Sequence, residues 1–147
     1  PKEKIDISES LESLLYQYQL THQQKKLRIT TQIPHSLHKE VNPQWRTRIV
    51  SNLLSNAFKF VPEGGEIHIH LTSQYLSIYN SGEQILPEFR AKIWERFWQA
   101  EDSHTDTKSF WLGLYLAQLF AQKQNFGLRL DEKTENWVRF ILDFYTS

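Results

Sequence analysis

The chain has 147 residues, 39% of them hydrophobic and 14% aromatic, enough apolar side chain to close one core. Its seventeen basic residues balance seventeen acidic ones, so no net field gathers a polyanion and nucleic acid is not an expected partner. Cysteine is absent, which excludes disulfides, thiol catalysis and thiolate metal sites.

No apolar run approaches the roughly 20 residues needed to cross a bilayer, and Pro1-Lys2-Glu3-Lys4 lacks the apolar core of a signal peptide. The expectation is a soluble, cytoplasmic segment with no membrane contact of its own. It starts at Pro1 and contains no Met, which reads as a piece of a longer polypeptide.

In chain order, Ile7, Leu11, Leu14, Leu15 and Tyr18 recur at helical spacing behind Asp6 and Glu9, which resemble a cap and an acidic first turn. This predicts a helix over residues 7–22. Leu27, Ile29, Thr31 and Ile33 alternate with polar residues, a half-buried strand ended by Pro34. Asn42-Pro43 starts a long helix to about residue 60. Its apolar face is Trp45, Ile49, Leu53, Ala57 and Phe60, while Asn52, Asn56 and Lys59 form a separate polar stripe. Pro62-Glu63-Gly64-Gly65 is a turn before a hairpin of residues 67–71 and 75–78. Pro87 opens a short helix through Arg96, with Phe89, Ile93 and Phe97 on one side. Residues 99–108 have no periodicity and read as a mobile surface loop. Leu112, Leu116, Leu119 and Phe120 then mark a helix over residues 112–124 that Asn125 and Gly127 stop. Two strands close the chain, over residues 128–131 and 137–145. The order predicts one domain over residues 1–147, an α/β two-layer sandwich with helices on one face of a mixed, mostly antiparallel sheet.

The polar stripe carries the chemistry. Two amides at i and i+4 with an ammonium three residues further offer neutral oxygen to a hard cation and positive charge to phosphates. A polar face of a surface helix is the plainer reading of Asn-x-x-x-Asn alone. The run Ser51-Asn52-Leu53-Leu54-Ser55-Asn56-Ala57-Phe58-Lys59-Phe60, with Pro62 and Gly64-Gly65, closely resembles the N box of sensor histidine kinase ATP-binding domains, a branch of the GHKL superfamily. Ile93-Trp94-Glu95-Arg96-Phe97-Trp98-Gln99 resembles that family's phenylalanine box, and Leu112-Gly113-Leu114-Tyr115-Leu116-Ala117 its second glycine box. The resemblance covers about residues 11–144.

What the resemblance implies is a Bergerat-type fold that binds ATP and Mg2+ and passes the terminal phosphoryl group to a histidine on a separate domain. Asn56 would ligate magnesium and, with Asn52 beside the metal-bound water, form the catalytic pair. Lys59 would contact phosphates and Phe60 the base. Asn80, Gly82 and Ile85 would line the adenine side, Lys108, Ser109, Gly113 and Leu114 would also bind the nucleotide, and residues 99–111 would form the lid. The implied partners are a histidine-containing dimerisation domain, on the same or a partner chain, and a response regulator, in a homodimeric full-length protein that is either cytoplasmic or a membrane sensor with this segment in its cytoplasmic part. No His here stands in the family's acceptor pattern, so the acceptor is expected outside this segment.

The sequence departs from the family at both glycine boxes. Asn80-Ser81-Gly82-Glu83-Gln84-Ile85 replaces an acidic adenine acceptor with Asn80, weakening that bond by roughly 1–2 kcal/mol, and puts Gln84 where glycine is usual. In Lys108-Ser109-Phe110-Trp111-Leu112-Gly113-Leu114 only Gly113 survives, and Trp111 adds bulk where a phosphate should approach. The alternative reading is therefore a pseudokinase module with weak or lost ATP and Mg2+ binding that acts through protein partners. Hydrolysis fits least, because the related ATPases place a Glu at the position of Asn52 and an amide cannot serve as a base. His68 and His70 read as solvent-facing strand residues, and Trp98 and Trp111, flanking the polar loop, as a pair able to pack together and shut the cleft.

Overall fold

The computed structural model describes residues 1–96, 98, 108–131 and 135–145, with the backbone alone at 108–110. In chain order the elements are β1 (Glu3–Asp6), α1 (Ile7–Thr21), β2 (Arg28–Gln32), β3 (His38–Val41), α2 (Ser51–Phe60), β4 (Glu66–Leu71), β5 (Tyr75–Ser81), α3 (Lys108–Lys123), β6 (Gly127–Leu130) and β7 (Trp137–Asp143). A five-stranded sheet runs β2-β4-β5-β7-β6. The β2–β4 pair is parallel, with α2 in the connection, and the other pairs are antiparallel. The expected two-layer architecture is present.

Strand alternation sorts the side chains. Ile67, Ile69, Leu71, Leu76, Ile78, Val138, Phe140 and Leu142 are buried, in one cluster with Leu11, Leu53, Leu54, Phe58, Leu114 and Ala117 from the three helices. Between or beside them His68, His70, Tyr79 and Arg139 are only half-buried and occupy the open face, where Ser77 alone of the alternating residues of β5 is buried. On that face the His68 ring stacks on Tyr79 at 4.5 Å, and the Tyr75 hydroxyl meets His70 Nδ1 at 3.1 Å. Both histidines are thus strand residues on the open face, as expected.

Asp6 caps α1: its Oδ1 accepts from the N–H groups of Ser8 at 3.1 Å and Glu9 at 3.3 Å. The same carboxylate accepts from Leu37 N–H and the Ser36 hydroxyl, which fixes the turn into β3. β1 and β3 pair antiparallel as a separate ribbon that periodicity did not reveal, because only Val41 of its eight residues is buried.

The helix expected over residues 42–60 is composite. Asn42 Oδ1 accepts from Gln44 N–H at 2.9 Å, a π-helical turn spans Arg46–Val50, and the regular helix begins at Ser51. Trp45, Ile49, Leu53 and Ala57 enter the core as expected, but Phe60 is 39% exposed and leaves it.

Three further expectations are corrected. The helix expected through Arg96 is instead two 3-10 turns, Pro87–Phe89 and Lys92–Trp94; Ile93 is buried, and Phe97 lies outside the described residues. α3 begins at Lys108 rather than Leu112, so the lid expected over residues 99–111 is helical in its last four residues, and 99–107 lie outside the described residues. The face of α3 that enters the core is Leu114, Ala117 and Ala121, whereas Leu112, Leu116 and Leu119 are exposed, Leu116 by 47%. Asn125, at φ 63°, ends the helix as its residue type suggested. Among the described residues no helix is long and apolar enough to cross a membrane.

Candidate nucleotide site

α2 presents the stripe. Asn56 is 5% exposed, and its Oδ1 is buried without a hydrogen-bond partner among the described residues. A buried unpaired acceptor costs on the order of 1–3 kcal/mol, so this oxygen is poised for a donor or a cation. A neutral carboxamide oxygen is a suitable ligand for a hard divalent ion such as Mg2+, directly or through its water. One turn earlier Asn52 is half-buried. Its Nδ2 donates to the Arg48 carbonyl at 2.8 Å, and its Oδ1 lies against Gly113 of α3. Lys59 and Phe60, one turn later, are exposed at the helix end.

Opposite that end stands the first glycine segment. Asn80 is 5% exposed in β5, paired across the sheet with Ile67 and Val138, and its Nδ2 donates to the Ser81 carbonyl at 3.1 Å. Gly82 follows at φ 128°, where a Cβ would lie 3.2 Å from both the Phe60 carbonyl oxygen and Pro62 Cδ. Glycine is needed there for conformation and for close approach. Ile85 is half-buried and its carbonyl accepts from Arg90 Nε at 3.3 Å, whereas Gln84 is exposed.

The second glycine segment differs from its expected form. Gly113 and Leu114 are both buried inside α3, and the backbone of Lys108 and Ser109 is already helical. The unpaired amides of a helix belong to its first turn, so here they start at Lys108 and not at Gly113. Trp111 stacks on Phe60 at 5.6 Å and 26°, Trp98 meets Trp111 edge-on at 4.9 Å, and Phe89 meets Trp98 at 5.6 Å. Trp98 and Trp111 therefore pack together, the arrangement their places flanking the polar loop allowed. This row of rings joins α2, α3 and the turn after Leu86 over the end of the stripe.

Two residues that support α2 gave no signal in the sequence. The Tyr18 hydroxyl on α1 reaches Ser51 Oγ at 2.9 Å, Ser55 Oγ at 2.7 Å and the Ser51 carbonyl at 3.2 Å. Lys25 reaches the opposite end of the helix. Among the described residues no group of three His, Asp or Glu could hold a metal.

The family model described as histidine kinase-, DNA gyrase B- and HSP90-like ATPase matches residues 42–146. The chain belongs to this family, and the order of its motifs is that of the histidine kinase ATP-binding catalytic domains within it. It is 35% identical over 106 residues to the sensor histidine kinase TmoS of Ectopseudomonas mendocina, covering 68% of this chain and 11% of that protein. With the histidine protein kinase SaeS of Staphylococcus aureus (strain USA300) it shares 32% over 139 residues, covering 85% of this chain and 38% of SaeS. The chain thus spans well under half the length of these relatives. Its fold matches the nucleotide-free catalytic domain of histidine kinase ThkA at a TM-score of 0.81 and 20% identity, over 97% of this chain and 94% of that one. Full-length ShkA, solved in complex with AMPPNP, matches at 0.78 and 18%, over 97% of this chain and 30% of that one.

Proposed function

We propose that this domain binds ATP with Mg2+ and presents the terminal phosphoryl group to a histidine on a separate dimerisation domain, in a homodimeric protein that signals to a response regulator from the cytoplasm. The buried, unpartnered Oδ1 of Asn56 carries the reading, because a folded core retains such an acceptor at a cost unless a ligand meets it. The metal, when bound, neutralises charge on the phosphates. Asn56 Oδ1 would hold it, Asn52 would stand beside its water, Lys59 would add positive charge at the phosphate end, and Phe60 would contact the base. Asn80 accepts from the adenine amine, with Gly82 and Ile85 beside it, and the first turn of α3 at Lys108 and Ser109 supplies amide donors. No protein nucleophile is needed in this segment, since phosphoryl transfer depends on positioning and charge stabilisation. The exposed Leu112, Leu116 and Leu119 give a partner domain an apolar face to dock on.

A second reading is favoured by one observation. The Phe60–Trp111 stack covers the end of the stripe, which suits a module that keeps the fold for protein contacts and binds nucleotide weakly. Calorimetric titration with a non-hydrolysable ATP analogue, with and without Mg2+, decides between them. Magnesium-dependent binding below about 1 mM that Asn56→Asp abolishes supports the kinase reading. Absence of binding supports the interaction module.

A further inference from the structure

The last turn of α2 carries Lys59 and Phe60, and it ends where helix carbonyls lack intrahelical partners. Lys25, in the 3-10 turn Gln23–Lys25 between α1 and β2, meets that end. Its Nζ donates to the carbonyls of Phe58 at 2.6 Å, Lys59 at 3.1 Å and Val61 at 2.9 Å. An ammonium has three protons, so all of its donor capacity is committed to one helix terminus, where the helix dipole also favours a cation.

The surroundings tighten the same joint. Gly64 N–H donates to the Lys25 carbonyl at 2.7 Å, and Arg28 N–H donates to the Gly65 carbonyl at 2.9 Å. From the other side Gly82 abuts the Phe60 carbonyl. The helix end is therefore held between the approach to β2 and the segment that carries Asn80.

We propose that Lys25 is a positioning residue for the phosphate end of the nucleotide site, acting through Lys59. The role rests on the ATP reading above. Lys25 cannot take a phosphate itself without giving up carbonyl partners, so it fixes where the Lys59 backbone sits and hence where its side chain starts. Burial, and after it the charge of Lys59, lowers the pKa of Lys25. The two ammonium groups thus repel one another, and a polyphosphate placed against Lys59 offsets that repulsion.

The test is a double-mutant cycle read by calorimetric affinity for Mg-ADP, using the wild-type domain, Lys25→Met, Lys59→Met and the double variant. Lys25→Met is expected to weaken binding about tenfold in the wild-type background and to change it less than about twofold when Lys59 is already Met. Lys25→Arg is expected to recover most of the loss, which removal of a generic helix contact would not predict. Equal losses in both backgrounds, or unchanged affinity in Lys25→Met, overturn the proposal while leaving the ATP reading intact. A wild-type domain that binds no Mg-ADP overturns both. Should Lys25→Met not fold by circular dichroism, Lys25→Gln, which keeps one donor group, takes its place in the cycle with the same outcomes.

Discussion

Gly113 and Asn52 are in direct contact: a Cβ added at Gly113 would lie 2.5 Å from Asn52 Oδ1 and 3.1 Å from its Cγ. The glycine that survives in the second box therefore lets α3 rest on the amide of α2, at a point inside the helix where it cups nothing. Gly113→Ala is expected to push Asn52 off the Arg48 carbonyl and to cost about 1–2 kcal/mol in urea unfolding. In an Asn52→Ala background the same change should cost less than half as much, and equal costs in the two backgrounds would contradict the contact.

Asn56 separates stability from binding. Asn56→Leu replaces a buried unpartnered acceptor with an apolar group of similar size, so the unfolding free energy should hold or rise by about 1 kcal/mol. Magnesium-dependent nucleotide binding should be lost in the same variant. A large destabilisation would mean that Asn56 Oδ1 has a structural partner, such as a buried water.

Trp111 is the residue to remove if the ring row restricts the cleft. Trp111→Ala breaks the contacts with Phe60 and Trp98, and affinity for an ATP analogue should rise about tenfold, accompanied by a change in tryptophan emission. Gln84→Gly, at an exposed position, should add to that affinity with little effect on the melting temperature. Unchanged affinity in both variants would show that neither position approaches the phosphates.

Tyr18 joins α1 to the start of α2 through Ser51 and Ser55, and Tyr18→Phe keeps the ring while removing every hydroxyl contact. The expected cost is about 1–2 kcal/mol by chemical denaturation, because the serine hydroxyls lose a shared partner. A cost near zero would mean that water replaces the tyrosine oxygen.

Acid sensitivity should trace in part to Asp6. The Leu37 N–H foremost, then Glu9 N–H and the Ser36 hydroxyl, holds its carboxyl below the usual range. A carboxylate with a depressed folded pKa contributes stability that is present above its unfolded pKa, about 3.9, and lost as pH falls through the folded value. Asp6→Asn should therefore flatten the acid limb of the urea midpoint below about pH 4. An unchanged acid limb would place the titration elsewhere.

The parts of the fold that sequence made legible are those where one face is buried and the other wet. β4 and β7 alternate cleanly, and Asp6, Asn42 and Asn125 mark helix boundaries by chemistry that needs no tertiary context. The β1–β3 ribbon was hidden because it buries almost nothing. On α3 the leucines that marked the helix, Leu112, Leu116 and Leu119, are on the solvent side, and the buried face is Leu114, Ala117 and Ala121, with Gly113 lying close against Asn52 of α2. Spacing showed Asn52, Asn56 and Lys59 as one polar stripe, but its reading as a site came from the resemblance of the surrounding run, since the spacing alone fits a plain surface face. Tyr18 and Lys25 were not, because each acts on α2 from more than thirty residues away.

The parallel ladder between β2 and β4 has a mechanical corollary. Since α2 is the crossover between two strands that share five paired residues, sliding it along its axis would shear that ladder, so the stripe bearing Asn56 behaves as a fixed rail. α3 is tied differently: at Trp111 its leading turn rests on the rings of Phe60 and Trp98, contacts that involve no strand pairing.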